Sequence, residues 1–330
     1  MSINSSEESQ QNLSAIKVAD NHLISIVVPV YNEELCIEEM IIRLDALKEK
    51  MSSIVQLEFI FVNDGSVDKT GELLKLHAEI KPYLKLVELS RNFGHQIAVT
   101  AGIDVSKGDF IVIIDGDLQD PPELIEQMYF IALEGFDVVY GQRQKRLGES
   151  VFKSGSALVF YRILNFMSDT KIPVDTGDFR LISRRVVVSL AGMRERHRFL
   201  RGMIPWIGFK STPLLYERDM RRAGTTKYPM HKMLSLAINA LTSFSSKPLI
   251  LFVRLGLITA SIGILAGLYL LYLKLFTETV VPGLTSVLIS IAVFNGLQIS
   301  ILGIVGTYIA KLFDEIKGRP LYVVAQSVNI

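Results

Sequence analysis

The chain of 330 residues predicts an α/β domain on a mostly parallel, doubly wound sheet, followed by an amphipathic interfacial helix and a hairpin of two membrane-spanning helices. Three observations carry that reading. Short apolar, β-branched runs alternate with helical patterns through most of the chain. Between Pro248 and Ala310 only Arg254, Lys274 and Glu278 are charged. A mean hydropathy of +0.33 beside 21% charged residues is therefore an average over two unlike regions.

Residues 1–22 are polar, hold no long apolar run and are expected to be disordered. They lack the basic start, apolar middle and small-residue cleavage site of a signal peptide. The α/β domain is placed at 23–228. ISIVVPV (24–30) reads as a strand buried on both faces, with a helical pattern from Glu33 through Leu47. LEFIFV (57–62) is the second strand, closed by the turn Asn63-Asp64-Gly65-Ser66 before a helix near Lys69–Ile80. LKLVEL (84–89) precedes a helix near His95–Val105. DFIVIID (109–115) runs into Gly116-Asp117, and Pro121-Pro122 opens a helix to about Glu134; FDVVYG (136–141) is a further strand. In such sheets ligands bind beyond the carboxyl ends of the strands. The chemically suggestive residues fall there: Tyr31, Asn32 and Glu33, Asp64, Asp115 and Asp117, and Arg143.

Residues 229–247 follow as a juxtamembrane amphipathic helix, with Met230, Met233, Leu234, Ala237, Ile238, Leu241 and Phe244 at helical spacing. Phe152–Met167 is a second, less clean amphipathic candidate. Within 248–310, two spans at about 249–273 and 284–310 each exceed the roughly 20 residues that cross a bilayer. A short connector with Pro282 and Gly283 makes them a hairpin, and Arg254 lies near an end, where it can snorkel. His231, Lys232 and Lys247 precede the first span, and Lys311, Lys317 and Arg319 follow the second. By the positive-inside rule both ends face the cytoplasm, which predicts a multi-pass protein of the inner or plasma membrane with a cytoplasmic domain. Residues 311–330 are then a cytoplasmic tail. Its LYVVAQ (321–326) reads as a strand able to pair with a sheet edge of its own or a neighbouring subunit, which leaves a homo-oligomer open.

The charge balance, 35 Lys+Arg against 34 Asp+Glu, argues against a nucleic-acid partner that needs a strongly basic surface. The lone Cys36 excludes an intrachain disulfide framework and a cysteine metal cluster, and reads as a small core hydrophobe. No GxGxxG follows the first strand and no GxxxxGK[ST] occurs, which disfavours a dinucleotide oxidoreductase or a P-loop NTPase. DGDLQDPPELIE partly mimics a calcium loop, but Asp120 stands where that loop requires Gly and a strand precedes it. Asp115-Gly116-Asp117 offers hard oxygen ligands that can share Mg²⁺ or Mn²⁺ with a diphosphate, with Gln119 as a further contact. The plainer alternative is turn-capping by the same side chains.

Taken together, VVPVYNEE (27–34), NDGSVDKT (63–70), SRNFGHQIAVTAGI (90–103), DGDLQDPPE (115–123), GQR (141–143), DTGDFRL (175–181), RFLRG (198–202) and RAGTTKY (222–228) resemble the family 2 glycosyltransferases of GT-A fold. The nearest branch is the polyprenyl-phosphate glycosyltransferases, such as dolichyl-phosphate mannose synthases and bactoprenol glucosyl transferases. The resemblance implies that Pro29, Tyr31, Glu33 and Asp64 surround the nucleotide, and that Asp115, Gly116, Asp117 and Gln119 form the metal and diphosphate site. It implies that Arg143 reaches those phosphates or the acceptor's, and that Arg218, Arg221 and Lys227 hold the lipid phosphate. Asp178 is the carboxylate candidate for a general base; a positioning role is favoured, because a lipid phosphomonoester with a second pKa of about 6 is mostly dianionic near neutral pH.

The function expected is inverting, metal-dependent transfer of a hexose, glucose by resemblance, from a UDP-sugar to a polyprenyl (undecaprenyl) phosphate. A processive polysaccharide synthase is the alternative enzyme; that group carries a Q-x-x-R-W signature, whereas Trp206 here follows Pro205. A membrane-anchored binding protein on a degenerate transferase fold is the non-enzyme alternative, and it should lack an intact acidic pair.

Overall fold

A computed structural model describes residues 22–143, 176–196, 198–217, 247–276 and 283–330. Among them, β1 (Leu23–Val30), β2 (Gln56–Asn63), β3 (Leu84–Leu89), β4 (Phe110–Ile113), β5 (Val138–Arg143), β6 (Thr176–Ser183), β7 (Ser211–Tyr216) and β8 (Val324–Val328) form one sheet. Helices α1 (Ile37–Met51), α2 (Thr70–Ile80), α3 (His95–Val105), α4 (Ile125–Leu133), α5 (Arg184–Ala191) and α6 (Leu200–Ile207) cover it, and α7 (Lys247–Phe276) and α8 (Leu284–Ile316) make the C-terminal pair.

The strand order is β7-β5-β6-β4-β1-β2-β3-β8. β1 lies at the centre, parallel to β2 and β4, so Ile26 is flanked by Phe59 and Val112. Alternate residues of each strand enter opposite cores. Ile24, Ile26, Val28, Phe59 and Phe61 meet Ile37, Met40 and Leu44 on one face. Val27, Ile60 and Val62 meet Ala98, Val99 and Ala101 of α3 on the other. Double burial is what makes β1 and β2 mostly apolar along their whole length, with Ile and Val prominent in β1.

The expected α/β class with a mostly parallel sheet stands, with refinements. β6 runs antiparallel between β4 and β5, a strand that simple β-α alternation does not predict. Its Phe179 and Leu181 fill one core and Ile182 the other. β4 ends at Ile113, so Asp115 stands beyond the strand. α1 begins at Ile37 rather than Glu33, because Asn32 takes a left-handed φ of 56° and the next residues bind the loop after β2. His22, expected in the disordered N-terminus, packs on the domain: its ring shares a hydrogen bond with the Tyr129 hydroxyl at 2.9 Å, and its carbonyl accepts from the Gln56 amide. Cys36 is buried in the core, as expected.

α7 and α8 are each long and apolar enough to cross a bilayer, over Phe252–Tyr269 and Phe294–Ile316. The tail then returns to the sheet of its own chain, where β8 pairs antiparallel with β3. The Asn329 side-chain amide donates to the carbonyls of Ala78 and Leu84, at 2.6 and 2.9 Å, and pins the strand's far end. The expected disorder of the remaining N-terminal residues, both amphipathic helix candidates, and Arg218, Arg221 and Lys227 lie outside the described residues.

Candidate active site

The loops after β1 and β2 lock together. The Asn32 amide donates to Ser66 Oγ at 3.0 Å, and its side-chain oxygen accepts from the Val67 amide at 2.9 Å. The Glu33 amide donates to Thr70 Oγ1 at 3.0 Å. Tyr31 projects from this junction, 41% exposed. Gly65, at φ 68°, lets the turn abut the next loop, where an added Cβ would stand 2.5 Å from the Arg91 carbonyl carbon. Asp64 is buried and accepts the amides of Phe93 at 2.7 Å and Gly94 at 2.9 Å. Burial lifts its carboxyl above the ordinary range despite those amides. The side chain expected at the nucleotide thus also orders the loop that enters α3.

The acidic loop lies against β1. Gly116 is needed there, since a Cβ would stand 2.7 Å from Val30 Cγ1 and 3.4 Å from the Pro29 carbonyl oxygen. Asp117 Oδ1 accepts the Gln119 amide at 3.2 Å, and Leu118 takes a φ of 61°. Asp117 therefore caps the turn, as the plainer alternative for this pair anticipates. Glu33 and Asp117 both face the Cys36 thiol, whose pKa is raised by burial and then by these charges. The two loops accordingly converge on one site.

A buried ionic network backs Asp115. His95, the first residue of α3, places Nε2 3.1 Å from Asp178 Oδ2 and 3.5 Å from Asp115 Oδ1. Arg201 of α6 forks onto Asp178, with Nε 2.8 Å from Oδ1 and Nη2 2.9 Å from Oδ2. Gln96 donates to the same carboxylate at 3.2 Å and accepts the Leu200 amide at 2.9 Å, tying α3 to α6. Burial alone would raise Asp178, yet Arg201 and His95 outweigh it and hold the carboxyl well below the usual range. Asp115 goes the other way, to about 6, through burial and the neighbouring carboxylates of Asp178, Asp120 and Asp117, against the pull of His95. Burial would lower His95, but its hydrogen bond to Asp178 and the Asp115 charge raise it to about 9. Arg180 is buried beneath this network, donates to the Gly177 carbonyl at 2.8 Å, and is lowered to about 10 by burial.

Arg143, at the end of β5, packs its guanidinium beside Gly177 and Tyr216. Among the described residues its Nε is buried without a hydrogen-bond partner, as is Asp115 Oδ1, which His95 Nε2 only approaches at 3.5 Å. A buried, orphaned carboxylate oxygen is costly unless something else satisfies it, and a divalent cation does so. Asp115 with Asp117 two residues on therefore fits Mg²⁺ or Mn²⁺. His95, Asp115 and Asp178 also bring ligand atoms within 4.8 Å of one another. Asp178, however, already spends both oxygens on Arg201, Gln96 and His95, which makes it the weaker ligand.

The structure thus joins Asp115 to Asp178, and the Glu33 loop to Asp117. His95, Gln96 and Arg201 are the members that sequence reasoning assigned no role. They sit inside quoted motifs, yet Asp178 lies 83 residues from His95 and 23 from Arg201, so only the folded sheet reveals the network.

This site lies on a domain whose residues 25–190 match the model of glycosyl transferase family 2, and the chain belongs to that family. Its relatives extend the match through the C-terminal helices. The chain is 49% identical to the uncharacterized glycosyltransferase YkcC of Bacillus subtilis, over 93% of this chain and 94% of that protein. It is 36% identical to the prophage bactoprenol glucosyl transferase homolog of Escherichia coli, over 91% of this chain and 98% of that one. The bactoprenol glucosyl transferase of Shigella phage SfII matches at 36%, over 92% and 98%. The protein is a glycosyltransferase.

Proposed function

We propose that the protein transfers a single hexose, glucose by the likeness to bactoprenol glucosyl transferases, from a UDP-sugar to a polyprenyl phosphate such as undecaprenyl phosphate. The reaction runs at the cytoplasmic face of the cell membrane and inverts the anomeric centre. The observation that carries the reading is 36% identity to bactoprenol glucosyl transferases across both the sheet domain and the helical pair.

Pro29, Tyr31, Glu33 and Asp64 line the nucleotide, the carboxylates accepting from a uracil N–H or ribose hydroxyls. Asp115 and Asp117, with Gln119, hold the divalent metal beside Gly116. That ion, when bound, neutralises charge growing on the departing diphosphate. Arg143 supplies fixed positive charge to a phosphate of the donor or acceptor. Arg218, Arg221 and Lys227 bind the lipid phosphate from the segment ahead of the hairpin. A phosphate oxygen of the acceptor attacks the anomeric carbon; the bond to UDP breaks, and its electron pair leaves on the β-phosphate. The dianionic acceptor needs no base. Asp178, pinned by Arg201 and held in its charged form, positions the site rather than taking a proton.

The test is the purified protein with radiolabelled UDP-glucose, Mg²⁺ and undecaprenyl phosphate. A lipid-linked monosaccharide is expected. Polymer, or no turnover with any UDP-sugar and metal, overturns the reading.

A further inference from the structure

A second charged hollow lies where the end of α8 meets the sheet. It encloses about 250 Å³ and is lined by Arg91, Arg196 and Arg319, with Phe93, Ile97 and Leu321 among its apolar walls and no carboxylate. It borders the loop whose Phe93 amide serves Asp64, and none of Asp64, Asp115, Asp117, Asp178, His95 or Arg201 lines it. Arg91 lies over the Phe93 ring at 4.2 Å. Arg196 is set by its own amide on Glu315 at 2.7 Å and by its guanidinium on the Arg319 carbonyl at 2.6 Å. The Arg319 guanidinium has no partner among the described residues.

The adjoining hollow, which shares Arg196 and Arg319, carries Asp104 and Glu315, but Asp104 pairs with Arg194 at 2.8 Å and Glu315 accepts the Arg196 amide at 2.7 Å. Three guanidiniums still face this hollow, and their planar forks match phosphate oxygens. Place identifies the anion. α8 runs uncharged to Ala310 and continues to Ile316, about 9 Å further at 1.5 Å per residue. The polar layer on each side of a bilayer is about 5–8 Å thick, so the helix ends among or just outside the lipid headgroups. On the same stretch Lys311 and Lys317 are balanced by Asp314 and Glu315, with Lys317 on Asp314 at 3.1 Å. The basic excess at this level therefore comes from Arg91, Arg196 and Arg319, and basic clusters here attract anionic lipid. A hollow with cationic donors and apolar walls suits a headgroup attached to its glycerol.

We propose that the hollow bounded by Arg91, Arg196 and Arg319 binds the phosphodiester headgroup of an anionic membrane lipid, and so seats the sheet domain on the bilayer. The assignment rests on reading α7 and α8 as bilayer-spanning, and it adds a lipid site separate from the acceptor's.

The test reconstitutes the full chain in nanodiscs of equal phosphatidylcholine and phosphatidylglycerol, then counts retained lipids by native mass spectrometry. Wild type should retain phosphatidylglycerol about tenfold over phosphatidylcholine, and R91Q/R319Q should retain the two equally. Because the Arg319 guanidinium has no hydrogen-bond or ion-pair partner among the described residues, R319Q alone keeps the test valid if the double variant misfolds, and should reduce the preference about threefold. Equal preference in wild type and R319Q overturns the proposal. So does saturable binding of inorganic phosphate to these arginines with no preference for phosphatidylglycerol. A chain that stays soluble without detergent defeats the membrane reading as well. Lipid preference without sugar transfer supports this site and counts only against the proposed reaction.

Discussion

Isoleucine, leucine and phenylalanine fill both halves of the molecule, yet Ile24, Phe59 and Phe61 are 0% exposed in the sheet while Ile264, Leu265 and Ile299 are 63%, 66% and 69% exposed in the hairpin. In the sheet, burying such surface away from water stabilises the fold by about 25 cal/mol per Å². The helical pair leaves that surface outside, an exposure that suits a lipid solvent. Polar groups follow the same division. The sheet domain buries Glu58 against Lys85 and Asp178 against Arg201, while within the apolar part of α7 Thr259 turns its hydroxyl back onto the Leu255 and Gly256 carbonyls of its own helix. The comparison teaches that one composition is buried in one region and left exposed in the other, and the proposed membrane setting accounts for the second.

The sharpest separation comes from chemistry. Asp115→Ala should lower turnover at least a thousandfold, about 4 kcal/mol of barrier, with membrane fractionation unchanged in a flotation assay. Phe59→Ala should cost the domain about 3–5 kcal/mol, read as a lower Tm in detergent, again with the chain in the membrane. Leu265→Arg is the mirror image. It should cost about 2.5–3.5 kcal/mol of insertion, seen as loss from carbonate-washed membranes, with the domain's Tm unmoved. If that Tm falls as far as with Phe59→Ala, the hairpin is a soluble core and the comparison breaks.

Smaller effects probe the buried charges. Asp178→Asn should lower kcat about tenfold, near 1.4 kcal/mol, and leave the pH–rate profile in place; a lost acidic limb would restore the general-base role. Burial would raise Glu58, but Lys85, Ser25 and the Lys107 amide together draw its pKa below the ordinary 4.5. Its contribution to stability is therefore full above that ordinary value and is lost as pH falls through the lowered one. Glu58→Gln should flatten the acid side of the Tm–pH curve below about pH 4.5 while lowering Tm at neutral pH.

Much of this was legible without coordinates. LKLVEL and the helix at 95–105 read off directly, because Leu84, Leu86, Val87 and Leu89 keep a short apolar segment despite Lys85 and Glu88, and a helix between two strands has little freedom in place. β6 was not, because TGDFRLIS carries Gly, Asp and Arg where a core strand rarely does, and its Arg180 is buried only through partners distant in sequence or on the backbone. Asp115 and Asp178 announce themselves as carboxylates in motifs. Their opposite pKa directions do not, since each depends on how His95 and Arg201 are distributed between them.

The pairing of β8 with β3 has a consequence for synthesis. The chain lays down seven strands, then both long helices, and only then the strand that closes the exposed edge at Leu86–Leu89. During translation that edge waits, open to wrong partners, until the helical hairpin has left the ribosome. Completion of the domain is thereby timed after production of the helical pair, and a fragment cut before residue 247 would carry an unfinished sheet.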